Sequence, residues 1–155
     1  MPDNGPVSRN LDYLQRLAAG EARQPGVFDL IGCRLTSVQL GQAVVELEVT
    51  PRHHNPMGTL HGGVICDIAD AAMGIAYRTT VGDDDGFTTV ELKMNFVRPV
   101  ISGRVRAAGR LVKGGRRLGL VECDVTDGEG RLVAKGLSTC MTLPGEAATR
   151  AQPPS

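Results

Sequence analysis

A long apolar stretch from Val64 to Tyr77, mostly Ala, Ile, Met and Val, carries Asp70 near its middle. An ionised aspartate in such surroundings is costly unless it is hydrogen-bonded or paired, so Asp70 needs a reason to be there. Upstream lies the turn segment Asn55-Pro56-Met57-Gly58-Thr59, followed by His61-Gly62-Gly63. If a helix opens at these glycines, its first amides lack intrahelical partners and stand at the positive end of the helix dipole, a setting that favours an oxyanion. Glycine also lets a ligand approach the backbone closely. A carboxylate offers a base or a nucleophile, and fixed amides offer donors for developing negative charge.

The element that must carry both groups is the helix itself. His61, Ile65, Ile68, Ala72 and Ile75 recur at helical spacing, and Ala69, Ala71, Met73 and Ala76 make the other faces apolar. The pattern predicts a helix buried all round, entered through glycines and left near Thr79-Thr80-Val81-Gly82-Asp83. Before it, Ser8 to Ala19 reads as a short amphipathic helix stopped by Gly20. Val27 to Gly32 reads as an apolar turn. Strands are predicted at roughly Cys33 to Leu40 and Gln42 to Thr50, hinged at Gly41. Val45, Leu47 and Val49 alternate with Val44, Glu46 and Glu48, the period of a half-buried strand. After Asp83-Asp84-Asp85-Gly86 four strands are expected: Thr88 to Val97, Gly103 to Val112, Arg117 to Thr126 and Arg131 to Leu143. In the first, Val90, Leu92, Met94 and Phe96 are placed on one face. Tight turns at Gly114-Gly115 and Asp127-Gly128 suggest a meander. Antiparallel strands around one apolar helix make an α+β layer.

Composition narrows the class. A chain of 155 residues suits a single domain. With 17 basic and 17 acidic residues, net charge points neither to nucleic acid nor to an anionic membrane surface. Cys33, Cys66, Cys123 and Cys140 show no Cys-x-x-Cys spacing, which favours reduced thiols in a cytoplasmic protein. No signal peptide is read at MPDNGPVSRN, and no apolar run has the length of a membrane span. Residues 1 to 7 and the tail from Pro144 read as loose. The expected organisation is an N-terminal segment with a short helix (1–26), one domain (27–143) and a tail (144–155).

From about Val27 to Leu143 the pattern resembles the hot-dog fold, and within it the acyl-CoA thioesterases of the phenylacetate-pathway type. The resemblance rests on Asn55, on Gly58-Thr59-Leu60-His61-Gly62-Gly63, on Ala69-Asp70, and on the strand Thr89-Val90-Glu91-Leu92-Lys93-Met94-Asn95-Phe96-Val97-Arg98-Pro99. It implies hydrolysis of a thioester R-CO-S-CoA, with Asp70 as nucleophile or general base and the Gly62 amide as oxyanion donor. It further implies that Asn55 orients thioester or water, that Thr89 assists, and that His61 supports the loop. No cofactor is implied, coenzyme A being part of the substrate. Dimers, commonly paired again into homotetramers, are implied as well.

Distance supports an oligomer independently. With a helix beginning near Gly62, Asp70 lies about 12 Å further along the axis, at 1.5 Å per residue. Both groups must come within about 3 Å of one reacting centre. One copy of the helix cannot supply both, so the site is expected to combine Gly62 and Asn55 of one subunit with Asp70 of another.

Between Leu92 and Val121 stand eight basic residues and no acidic one. Coenzyme A carries a 3′-phosphate and a pyrophosphate, and Lys113-Gly114-Gly115-Arg116-Arg117 is a basic turn with backbone donors. These five residues, with Gly63, are the expected substrate contacts; the plain alternative is a solvated strand edge. Nucleic acid suits the stretch poorly, because two Tyr, three Phe and no Trp leave little for bases to stack on. His53, His54 and His61 lack supporting ligands at metal spacing, so no metal is expected. For Asp67, one turn before Asp70, a hydrogen-bonded or interface carboxylate is preferred over a pKa-tuning role. Two other readings use the same fold. A non-catalytic acyl-CoA sensor is opposed by the presence of Asp70, Asn55 and Gly62. An enoyl-thioester hydratase is opposed by the missing extended hydratase signature.

Overall fold

The computed structural model describes residues 8–145. The segment 1–7 and nearly all of the tail expected to be loose lie outside the described residues. Helix α1 (Arg9–Ala18) and a short α2 (Gly26–Ile31) precede strands β1 (Cys33–Gln39) and β2 (Gln42–Val49). A single 3-10 turn, Pro51–His53, leads to the central α3 (Gly62–Arg78). Then follow β3 (Gly86–Phe96), β4 (Gly103–Gly114), β5 (Leu118–Asp127) and β6 (Leu132–Leu143). Where an apolar turn was expected, Gly26–Ile31 forms a helical turn and a half, ended by Gly32 in the left-handed region at φ 82°.

The strands form one antiparallel sheet in the order β1-β2-β4-β5-β6-β3. This is the sheet-and-helix layer expected, with one correction to its order. The last four strands are not a simple meander: β3 pairs with β6, while β4 turns to β2. Residues 97–102 carry the chain between them. Val100 is buried, its carbonyl accepts from Leu60 N–H at 2.7 Å, and the Ile101 carbonyl is 2.7 Å from His54 Nε2. These bonds pin the link beside the loop that precedes α3, so β3 is left as a sheet edge.

The core lies between α3 and the sheet. Ile68, Ala69, Ala72, Met73 and Ala76 are fully buried, as are Val105, Ala107, Val121 and Cys123 opposite them. Burying side chains the size of Ile68 and Met73 stabilises by about 1.5–3 kcal/mol each. The helix approaches so closely that a Cβ at Gly109 of β4 would lie 2.5 Å from the Ala72 carbonyl. Only a glycine there, facing an alanine-rich helix, permits that contact. The all-round burial expected of α3 is corrected: one stripe of the helix stays open. Gly63 and Asp67 are exposed, and Val64, Asp70, Ala71 and Ile75 are half-buried. This stripe is where the chemistry-bearing residues sit. Among the described residues no helix is long and apolar enough to cross a membrane.

Candidate active site

Asp70 and Thr89 are brought together. The Thr89 hydroxyl donates to Asp70 Oδ1 at 2.9 Å, while Oδ2 has no hydrogen-bond partner among the described residues. A fault in the β3 ladder makes this contact. Thr89 is opposite Cys140 and Glu91 opposite Thr139, so Val90 is an extra residue in the register. Without it, Leu92 and Met94 facing inward would put Val90 inward and Thr89 outward. With it, Phe87 and Thr89 turn to the helix together with Leu92 and Met94, while Val90 is 55% exposed. A bulge beside a functional group commonly serves to re-aim a side chain in this way. The sequence expectation that Val90, Leu92, Met94 and Phe96 share a face is corrected for Val90 alone; Phe96, although 52% exposed, keeps its ring on the helix side, beside Gly62.

Around this pair opens a cleft of about 390 Å³, lined by α3 (Asp67, Asp70, Ala71, Gly74, Ile75), by β3 (Phe87, Thr89), and by Phe28 and other apolar residues of α2 and its flanks. The lining is apolar apart from the two carboxylates and the threonine. Partial burial, and then the negative charge of Asp70, push the Asp67 carboxyl above its usual range. Cys33 also borders the cleft, but burial raises its thiol to about 11, which removes it as a nucleophile. Cys66, one turn before Asp70, is likewise raised, first by burial and then by Asp67 and Asp70.

The other half of the expected chemistry stands at the start of α3. Gly62 is the first helical residue, and its N–H has no partner among the described residues. The Gly63 N–H is not free: it donates to Nδ1 of His61, the N-cap, at 2.8 Å. His61 is thus a loop-supporting cap whose Nδ1 is occupied. Asn55 is also turned into its own loop. Its Oδ1 accepts from Met57 N–H at 3.0 Å and Thr59 N–H at 3.2 Å, and its Nδ2 donates to Thr59 Oγ1 at 3.0 Å. In one chain, therefore, Asn55 shapes the turn and has only its second amide hydrogen to spare. His53 ties Thr50 N–H to the Ile31 carbonyl through its two ring nitrogens, at 3.0 and 2.8 Å.

The basic run is less one-sided in space than in sequence. Arg104 lies between Glu46 and Glu48 of β2, at 3.8 Å from each, and Arg110 contacts Glu122 of β5. Lys113, Arg116 and Arg117 make no ion pair among the described residues. They stand on the β4–β5 hairpin with Gly114 and Gly115. Of its backbone, the Gly115 N–H is already given to the Leu118 carbonyl at 2.8 Å.

One chain thus assembles a carboxylate, a hydroxyl and an apolar cleft at mid-helix, and leaves an amide donor eight residues upstream, about 12 Å along the axis. Sequence reasoning missed the cleft walls. Phe28, Ile31 and Phe87 read as ordinary apolar residues, and nothing in their spacing marks them as lining.

The profile of the thioesterase superfamily matches residues 57–134. The 1,4-dihydroxy-2-naphthoyl-CoA hydrolase of Listeria monocytogenes is 32% identical over 115 residues, covering 74% of this chain and 92% of its own. A conserved protein of Pseudomonas aeruginosa superposes with a TM-score of 0.74 at 35% identity, over 77% of this chain and 95% of that one. A variant of the phenylacetic acid degradation protein of Thermus thermophilus superposes with a TM-score of 0.70 at 30% identity, over 76% and 98%.

Proposed function

The chain belongs to the thioesterase superfamily and is a thioester hydrolase; from this premise we propose that it hydrolyses an acyl-CoA to the free acid and coenzyme A at a site shared by two subunits. The observation that carries the reading is the Asp70 carboxylate, held on one oxygen by Thr89 and open on the other beside an apolar cleft. The open oxygen attacks the thioester carbonyl or takes a proton from the attacking water. The Gly62 N–H, unpartnered at the positive end of α3, stabilises the oxyanion. His61 holds the loop in which that amide stands, and the spare Nδ2 hydrogen of Asn55 orients the thioester or water.

The dimer follows from how β3 lies along α3. A Cβ at Gly74 would meet the Phe87 ring, Asp70 meets Thr89, and a Cβ at Gly62 would meet the Phe96 ring, so strand and helix run in opposite directions side by side. The free edge of β3 can pair with a second copy about a two-fold axis. Because Val90 is an extra residue in the strand, an axis at Lys93 pairs Leu92 with the partner's Met94 and sets Thr89 opposite the partner's Phe96. Asp70 of one subunit then works with the partner's Gly62. Such dimers pair further into tetramers in this reading. Lys113, Arg116 and Arg117, which make no ion pair among the described residues, bind the phosphates of coenzyme A with the Gly114 backbone between them; the Gly63 and Gly115 amides, given to His61 and to the Leu118 carbonyl, shape their turns instead. All four cysteines are free thiols, which supports a reducing compartment, the cytoplasm.

The test is Asp70→Asn, with thiol release followed on a panel of acyl-CoAs. The variant is expected to lose at least about a hundredfold in kcat, the range of lost general-base catalysis. Near-normal turnover would remove Asp70 from the mechanism. A single turnover in heavy-oxygen water then separates attack by the carboxylate, which takes up label, from activation of water, which does not.

A further inference from the structure

Two rungs cross the gap between α3 and β3 inside the cleft. The first is polar, Asp70 to Thr89, at the reacting position. The second lies one helical turn further, about 6 Å along the axis, at Gly74, opposite Phe87 two residues before Thr89 in β3. Gly74 is buried in the interior of α3, one turn before its end, where glycine costs about 1 kcal/mol relative to alanine. Its missing side chain is what admits the Phe87 ring: an added Cβ would lie 3.3 Å from two of the ring carbons, tighter than ordinary contact. Tyr77, three residues further along α3, meets the same ring edge to face with centroids 5.9 Å apart, and the Tyr77 hydroxyl is fixed 2.8 Å from Thr142 Oγ1. Phe87 is therefore seated against the helix backbone and a second aromatic ring, with one side left on the cleft.

We infer that Phe87, seated on Gly74, is the stop that limits the length of the acyl group and restricts the enzyme to compact acyl-CoAs, single-ring aryl or short aliphatic. This rests on the proposed thioesterase site, since the stop is measured from Asp70. A cleft of about 390 Å³ lies near the lower end of ligand pockets, which agrees with a compact group. A long chain entering past Asp70 on this side meets the seated ring after about one helical turn.

The experiment compares kcat/KM for butanoyl-, phenylacetyl- and dodecanoyl-CoA in the wild type, in Phe87→Ala and in Phe87→Leu, with melting curves for each. Wild type is expected to favour the two compact substrates. Phe87→Ala should raise the dodecanoyl to phenylacetyl ratio by roughly tenfold or more, with Phe87→Leu between them, as lost steric exclusion in an apolar pocket allows. If wild type cleaves dodecanoyl-CoA as well as the compact pair, or if neither folded variant moves the ratio, Phe87 is not the stop although the thioesterase reading survives. If wild type releases no thiol from any of the three, the thioesterase reading itself fails.

Discussion

Thr89 reaches Asp70 through its hydroxyl alone, so Thr89→Val isolates that one bond. A hydrogen bond to a charged group is worth about 1.5–3 kcal/mol, and its loss should lower kcat by roughly ten- to a hundredfold with the fold intact. An unchanged kcat would show that the bond does not act in turnover. Asp67 makes a different prediction. Its carboxyl is raised by partial burial and by Asp70, so folding disfavours its charged form. Such an acid costs stability above its folded pKa and nothing below its unfolded value, about pH 4. Asp67→Asn should therefore raise Tm at pH 7.5 and leave it unchanged near pH 3.5. An equal shift at both would mean that charge is not the cause. At this scale the sequence is legible where a motif fixes a residue by type, as for Asp70, Gly62 and Thr89. It is silent on Asn55 and Gly63, whose polar groups turn out to be engaged by their own loop, because spacing does not say which donor meets which acceptor.

Among the elements, boundaries were readable and order was not. Period-two alternation locates every strand to within a few residues, and the glycine and proline breaks mark the ends. Alternation says nothing of neighbours, so the pairing of β3 with β6, and the bulge at Val90 that turns Thr89 inward, are visible only in the folded chain. Helix α1 shows how one element is fastened to another. The Asp83 carboxylate, just past α3, accepts from Asn10 N–H and Arg9 N–H at 3.0 Å each. Those amides, with the Arg9 guanidinium, hold the Asp83 carboxyl below its usual range. A carboxyl lowered in the folded state contributes stability above its unfolded value, near about pH 4, and loses it as pH falls through the folded one. Asp83→Asn should thus lower the urea midpoint at pH 6, and the gap from wild type should close in stronger acid. A gap independent of pH would place the anchor elsewhere.

For the whole molecule, the proposed site falls into two separated halves on one chain. The acid is at the middle of α3 and the free amide at its start, and the length of the helix between them cannot be shortened. That separation was legible from residue spacing alone. The edge position of β3, which offers a second copy a place to dock, was not, since it depends on strand order. Charge behaves in the same way: the basic run looks uniform along the chain, but folding pairs Arg104 and Arg110 with carboxylates of β2 and β5, while the β4–β5 hairpin, like Lys93, Arg98 and Arg106, makes no ion pair among the described residues.

The most direct measurement mixes two inactive variants. Asp70→Asn lacks the acid. Gly62→Pro lacks the amide donor, at a first helical position that tolerates proline, after His61 at φ −64° and ψ 134°, which a following proline accepts. Co-assembled in equal amounts, half of the dimers are hybrids, and each hybrid has one site with Asp70 and Gly62 both intact. About a quarter of wild-type turnover should return if the site spans two subunits. If the mixture never exceeds the residual activity of its parents while hybrids form, each chain builds its own site and the shared-site account is wrong.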